Sequence, residues 1–278
     1  MLRAVASYPY TGPKEVGYLF IDGASLHGRI GNIASQFLNN INLDVDFARL
    51  LTLSRCAKGF YYDAIPVQDD GETDVAYKAR IAPRSHIHDR AQAVQGMHVY
   101  EGDARKRRRM GYQQKKVDVM IAVDMMMHTF RRNMHHATLL TGDADFKPLI
   151  DALIREGMQV TLWYPLGETA QELIDAADIR RPIDFSTIRS VLTDESQRDF
   201  AIPGVVANPP MSETAKRVRT WGSSEAQQEL WKDGPMLSIV RHYLVDDRYC
   251  VTHTNPNLLK AVCAEHPQYF VLPPDLFP

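Results

Sequence analysis

Short apolar runs alternate along the chain with longer stretches whose apolar residues recur every three or four positions. The short runs predict strands at 17–21 (GYLFI), 59–64 (GFYYDA), 97–102 (MHVYEG), 137–142 (ATLLTG) and 159–164 (QVTLWY). Helical periodicity fills the gaps at 46–57, 75–95 with Pro83 interrupting, 117–134, 146–155 and 168–177. Strand and helix in alternation, with strands rich in β-branched and aromatic residues, predict an α/β fold. Its parallel β-sheet is flanked by helices on both faces. In such a sheet the functional residues gather at the carboxyl ends of the strands. The alternation stops near Phe185. Residues 186–234 turn polar, with Asn208-Pro209-Pro210 and Trp221-Gly222-Ser223-Ser224, and predict a linker or irregular extension. Residues 235–278 look ordered again. MLSIVRHYLV and NLLKAVCAEH read as helices of a small, mainly helical C-terminal extension, winged-helix-like or packed as an appendage, of unknown role.

Composition narrows this picture by exclusion. Hydrophobic residues at 45% and charged residues at 24% fit a folded globular chain of 278 residues, long enough for one sizeable core and a smaller unit. No apolar run approaches the roughly 20 residues of a membrane helix, and no secretory signal is evident at the start. Cys56, Cys250 and Cys263 lack metal-ligand spacing, so the expectation is a cytoplasmic protein without disulfides or zinc.

The chemistry lies in four aspartates. Asp22 follows the first strand in Ile-Asp-Gly-Ala-Ser, where it faces the crevice above the sheet or caps the next turn. Asp143 and Asp145 stand between a strand and a helix; on extended chain, residues two apart point the same way. Asp145 could alternatively cap the helix beginning at Phe146. Asp118 opens the helix VDVMIAVDMMMHTF, which is apolar nearly all round and so expected to be buried. There the helix dipole alone would favour a carboxylate. Asp124 falls about 240° further round that helix, a supporting or hydrogen-bonded acid rather than a shared ligand. Together the four converge on one end of the sheet, and like charges so placed call for a cation. Carboxylates without histidine or cysteine point to Mg²⁺ or Mn²⁺.

The motifs Ile21-Asp22-Gly23, Gly59-Phe60-Tyr61-Tyr62-Asp63, Lys116-Val117-Asp118-Val119, Thr141-Gly142-Asp143-Ala144-Asp145-Phe146 and Gly157-Met158-Gln159-Val160 resemble the NYN domain family, in its LabA-like branch of the PIN-like nuclease superfamily. The resemblance spans about 16–185. It implies a PIN-like (Rossmannoid) fold over 1–185 and metal-dependent ribonuclease activity, with Asp22, Asp118, Asp143 and Asp145 as catalytic and metal-binding residues. Where the family has Asn three residues after the first Asp, this chain has Ser25, which hydrogen-bonds but reaches less far.

Net charge is only −2, yet its distribution is uneven. Arg105, Lys106, Arg107, Arg108, Arg109, Lys115 and Lys116 precede the Asp118 helix and would border the site. They read either as a solvated basic loop or as a phosphate-tracking surface, for which the resemblance implies RNA, single-stranded by preference. A non-catalytic RNA-binding or regulatory protein is the alternative to the nuclease. A phosphatase with an Asp nucleophile is disfavoured, because Gly23-Ala24 follow Asp22 with no second acid near. Residues 186–278 are left for a homo-oligomer contact or a protein partner.

Overall fold

The computed structural model describes residues 16–107, 111–115, 117–210, 212–223, 226–243 and 247–277, with backbone alone at 103–107 and 111–115. It divides into two compact units. One comprises the chain up to Leu26, Leu50–Tyr164 and Thr169–Arg181; the other comprises His27–Arg49, Pro165–Glu168 and Pro182–Pro278.

The elements begin with β1 (Gly17–Asp22), α1 (Gly23–Phe37), α2 (Phe47–Ser54), β2 (Lys58–Pro66) and α3 (Asp74–Gln92). Next come β3 (Met97–Arg107), β4 (Gly111–Lys115), α4 (Val117–Phe130) and β5 (His136–Leu140). A single 3₁₀ turn at Ala144–Phe146 leads into α5 (Lys147–Arg155), β6 (Gln159–Pro165), α6 (Gln171–Ala176) and β7 (Ile179–Ile183). The sheet order is β4-β3-β2-β1-β5-β6-β7, parallel apart from the antiparallel edge strand β4. The chain therefore builds outward from β1 to β3, then returns to β1's other side with β5. That reversal makes the β1/β5 border a topological switch point, where a crevice opens beyond the strand ends.

All of β1 is buried, as a central parallel strand requires. Phe20, Phe60, Tyr62, Leu139 and Leu162 pack on one face against Ile121 and Met125 of α4 and Ile150 and Leu153 of α5. The expectation of an all-buried α4 is corrected. Val117, Ile121 and Met125 are buried, but Val119, Val123, Met127 and Phe130 are exposed. A helix lying on one sheet face covers only one of its own sides, however apolar its composition. Nor does Pro83 interrupt α3. The helix runs through it, and the carbonyl of Ala79 that loses its bond lies on the solvent side.

The second unit departs furthest from expectation. The stretch 186–234 holds α7 (Phe185–Val191), α8 (Asp194–Asp199), β8 (Val206–Ala207), β9 (Lys216–Trp221) and β10 (Gln228–Asp233). It is followed by β11 (Met236–His242), β12 (Arg248–His253) and α9 (Pro256–Glu265). Of the segment MLSIVRHYLV, expected as a helix, Met236–His242 form β11, so among the described residues the C-terminal part is a sheet in the order β8-β12-β11-β10-β9 followed by a helix, not mainly helical. The Gly234-Pro235 turn explains it. Gly234 sits at φ +57° and closes a two-residue hairpin, so Leu230, Ile239 and Val251 align across three strands. Helix α9 matches the second expected helix.

Candidate active site

The end of β1 places Asp22 at the switch point, 4% exposed. Its Oδ1 accepts from the backbone N–H of Ala24 (3.0 Å) and Ser25 (3.4 Å), which caps α1. Its Oδ2 accepts from Ser25 Oγ (2.7 Å) and Thr141 Oγ1 (2.9 Å). Burial pushes the Asp22 carboxyl up, and these four bonds oppose it. The next residue has to be small: a Cβ on Gly23 would lie 2.8 Å from both Tyr61 Oη and the Tyr62 carbonyl oxygen.

Thr141, which the motif reading did not single out, ties the two strand ends together. Fully buried just past β5, it donates to Asp22 and accepts from the backbone N–H of Asp143 (3.1 Å). Ser25 Oγ also accepts from Gly142 N–H (3.0 Å), so the position where the family has Asn bridges β1 to the β5 loop. The signal for Thr141 was its place: a hydroxyl at the buried end of an apolar strand, directly before Gly-Asp.

Asp143 and Asp145 do not share extended chain. Asp143 is extended (φ −82°, ψ 118°) and accepts from Asp145 N–H at 2.9 Å, so the cap belongs to Asp143, and Asp145 lies inside the 3₁₀ turn. Pro148, tolerated in the first turn, starts α5 behind it. Asp118 lies in the first turn of α4. Its carboxyl is raised by burial and further by the negative charges of Asp22, Asp143 and Asp145. Asp118 therefore lies within electrostatic reach of the other three. Asp124 instead accepts from Tyr62 Oη at 2.8 Å, and Lys147 pairs with Asp151 at 2.8 Å.

Four hard carboxylates under mutual repulsion have the chemistry that suits a divalent ion. Among the described residues, however, no three His, Cys, Asp or Glu side chains converge closely enough to hold one as they stand. Both oxygens of Asp22 and one oxygen of Asp143 accept from protein donors.

Part of the basic run is strand, not loop. Strand β3 extends to Arg107 and pairs antiparallel with β4, setting Arg105 opposite Gln113 and Lys106 opposite Tyr112. Lys115 ends β4, while Arg108, Arg109 and Lys116 lie outside the described residues.

Residues 18–184 match the NYN domain, more than half of the chain and all four aspartates. The chain belongs to the NYN domain family. NYN domains are part of the PIN-like nuclease superfamily. No curated protein matches. Among solved structures, a protein of unknown function from Vibrio parahaemolyticus is similar at 17% identity and a TM-score of 0.44, covering 64% of this chain and 96% of that one. A SAM-bound amino pentose methyltransferase from Micromonospora echinaspora aligns at 10% identity with a TM-score of 0.16, covering 91% and 75% of the two chains. Outside the acidic crevice, this NYN domain has no described helix long and apolar enough to cross a membrane.

Proposed function

We propose that this NYN domain is a ribonuclease that hydrolyses RNA phosphodiester bonds with Mg²⁺ or Mn²⁺ held by Asp22, Asp118, Asp143 and Asp145. The observation that supports the reading is the meeting of the β1 and β5 ends in a nuclease-family fold, where the Thr141 hydroxyl joins the Asp22 carboxylate to the backbone of Asp143. A bound ion would neutralise the cluster, polarise the phosphodiester and activate the attacking water. The protein's own residues prepare for it. Thr141 and Ser25 fix the Asp22 carboxylate, the 3₁₀ turn fixes the spacing of Asp143 and Asp145, and the α4 N-terminus carries Asp118. The basic β3–β4 hairpin directly precedes that helix and supplies a phosphate-binding surface for single-stranded RNA.

The test is cleavage of a labelled single-stranded RNA with Mg²⁺ or Mn²⁺. Wild type should cleave, chelation should stop it, and Asp143→Asn should reduce the rate at least 100-fold while leaving RNA binding intact. Metal-dependent cleavage that survives Asp143→Asn contradicts the assignment. A second reading, RNA binding without cleavage, is favoured by the saturation of Asp22 with protein hydrogen bonds and by Ser25 at the family's Asn position. Binding by wild type with no cleavage under either metal would establish it.

A further inference from the structure

Strands β5 and β6 send Ala137, Leu139, Val160 and Leu162 into the hydrophobic core. The alternate residues face the other side of the sheet. There the register sets His136 beside Gln159 and Thr138 beside Thr161. A covered sheet face ordinarily carries aliphatic side chains, yet Thr138 and Thr161 are only 2% and 8% exposed. They floor a cavity of about 220 Å³ that Arg55, at the end of α2, and Arg181, on β7, also line.

The charge and hydrogen-bond inventory of this cavity is one-sided. No aspartate or glutamate lines it. Neither Arg55 nor Arg181 has an ion pair among the described residues, whereas the neighbouring Arg180 pairs with Asp175 at 3.0 Å. The Thr161 hydroxyl and the indole N–H of the nearly buried Trp163 likewise have no hydrogen-bond partner among the described residues. Both atoms keep access to solvent, so they stand open as donors. Arg55 also holds φ +58°, a left-handed conformation that costs a side-chain-bearing residue about 1 kcal/mol or more.

We propose that this cavity is an anion site that binds a phosphate group, either free or as the phosphomonoester of a mononucleotide. Two guanidinium forks with hydroxyl and N–H donors between them match a phosphate's acceptors. The volume argues for a small ligand, since pockets for drug-sized molecules run from about 300 to 1,000 Å³. The site is separate from the acidic crevice: His136 and Thr138 stand at the start of β5, whereas Asp143 follows its end. The inference therefore stands independently of the nuclease reading.

Isothermal titration in chloride buffer, with inorganic phosphate in one arm and adenosine monophosphate in the other, tests it. Wild type should bind saturably. The double variant Arg55→Gln/Arg181→Gln should bind at least tenfold more weakly, with an unchanged melting temperature because both arginines are exposed. Thr161→Val, which keeps both charges, should also weaken binding. Tighter binding of the nucleotide than of phosphate assigns the site to a mononucleotide; equal affinities assign it to phosphate alone. No saturable binding, undiminished binding by the double variant, or the same heat from sodium chloride at equal ionic strength overturns the proposal.

Discussion

Thr141 and Gly23 show how single atoms hold the acidic crevice. The Thr141 hydroxyl is shared by Asp22, Ser25 and the backbone of Asp143, so its loss removes one of two donors to Asp22 Oδ2 and the acceptor of a backbone N–H together. Thr141→Val should cost about 1–3 kcal/mol in urea unfolding; an unchanged midpoint would show that the bond to Asp22 contributes nothing. Gly23→Ala tests sterics instead. Its Cβ would meet Tyr61 Oη and a backbone oxygen at 2.8 Å, and the backbone cannot yield easily. A loss of about 1–3 kcal/mol is expected from overpacking, measured by the same melts. At this scale the sequence placed Asp22, Asp118, Asp143 and Asp145 beside strand ends and a helix start, and those positions hold, while their role at a metal is the proposal. Thr141 was not legible, because a lone threonine at a strand end has many uses and only the fold brings it to Asp22. The Asp143–Asp145 geometry was misread for a related reason. Alternation holds on extended chain, and capping by Asp143 turns the chain into a 3₁₀ turn two residues sooner.

At the scale of elements, legibility followed periodicity where one face decided it. The five expected strands and the helix at α5 stand close to their predicted spans, since buried parallel strands are continuous apolar runs. Strand β11 was missed because MLSIVRHYLV fits a helical stripe as well as a strand. The deciding signal was the preceding Asp-Gly-Pro, a hairpin turn on which the assumed boundary fell. The short α7 and α8 hid in polar sequence, but their caps were readable: Asp184 accepts from Thr187 N–H, and Thr193 accepts from Ser196 N–H. The first residue of α7 is also clasped by the last of α9, since Glu265 accepts from Phe185 N–H (2.7 Å) and pairs with Arg29 (2.8 Å). Burial pushes the Glu265 carboxyl up to about 7, against the pull of both partners. Between its ordinary 4.5 and that value the folded state binds more proton than the unfolded one, so stability falls as pH rises through this window. The loss is on the order of 3 kcal/mol for such a shift. Urea melts from pH 4.5 to 7 should show it in wild type, and Glu265→Gln should flatten the profile; parallel profiles in the two proteins would remove Glu265 as its source.

For the whole molecule, net charge and local charge point in opposite directions, and the fold reconciles them. A chain of net charge −2 should repel a polyanion at long range, and the acidic crevice adds to that repulsion. The basic residues of the β3–β4 hairpin are concentrated at one sheet edge, where charges also discourage strand-on-strand pairing. Edge protection alone and RNA contact make different predictions about salt. Each phosphate neutralised on a single strand lowers log K by about 0.7 per decade of salt. Replacing Arg105, Lys106 and Arg107 with Gln takes the net charge from −2 to −5. If all three touch phosphates, the slope should become shallower by about 2. Anisotropy titrations of a labelled single-stranded RNA across a range of KCl, in the Asp143→Asn background so that the strand stays intact, measure that slope directly. A variant that binds more weakly by the same factor at every salt concentration has lost a non-electrostatic contribution, and phosphate contact by these residues is then overturned. A slope that flattens by about two would mean that the three side chains together neutralise about three phosphates.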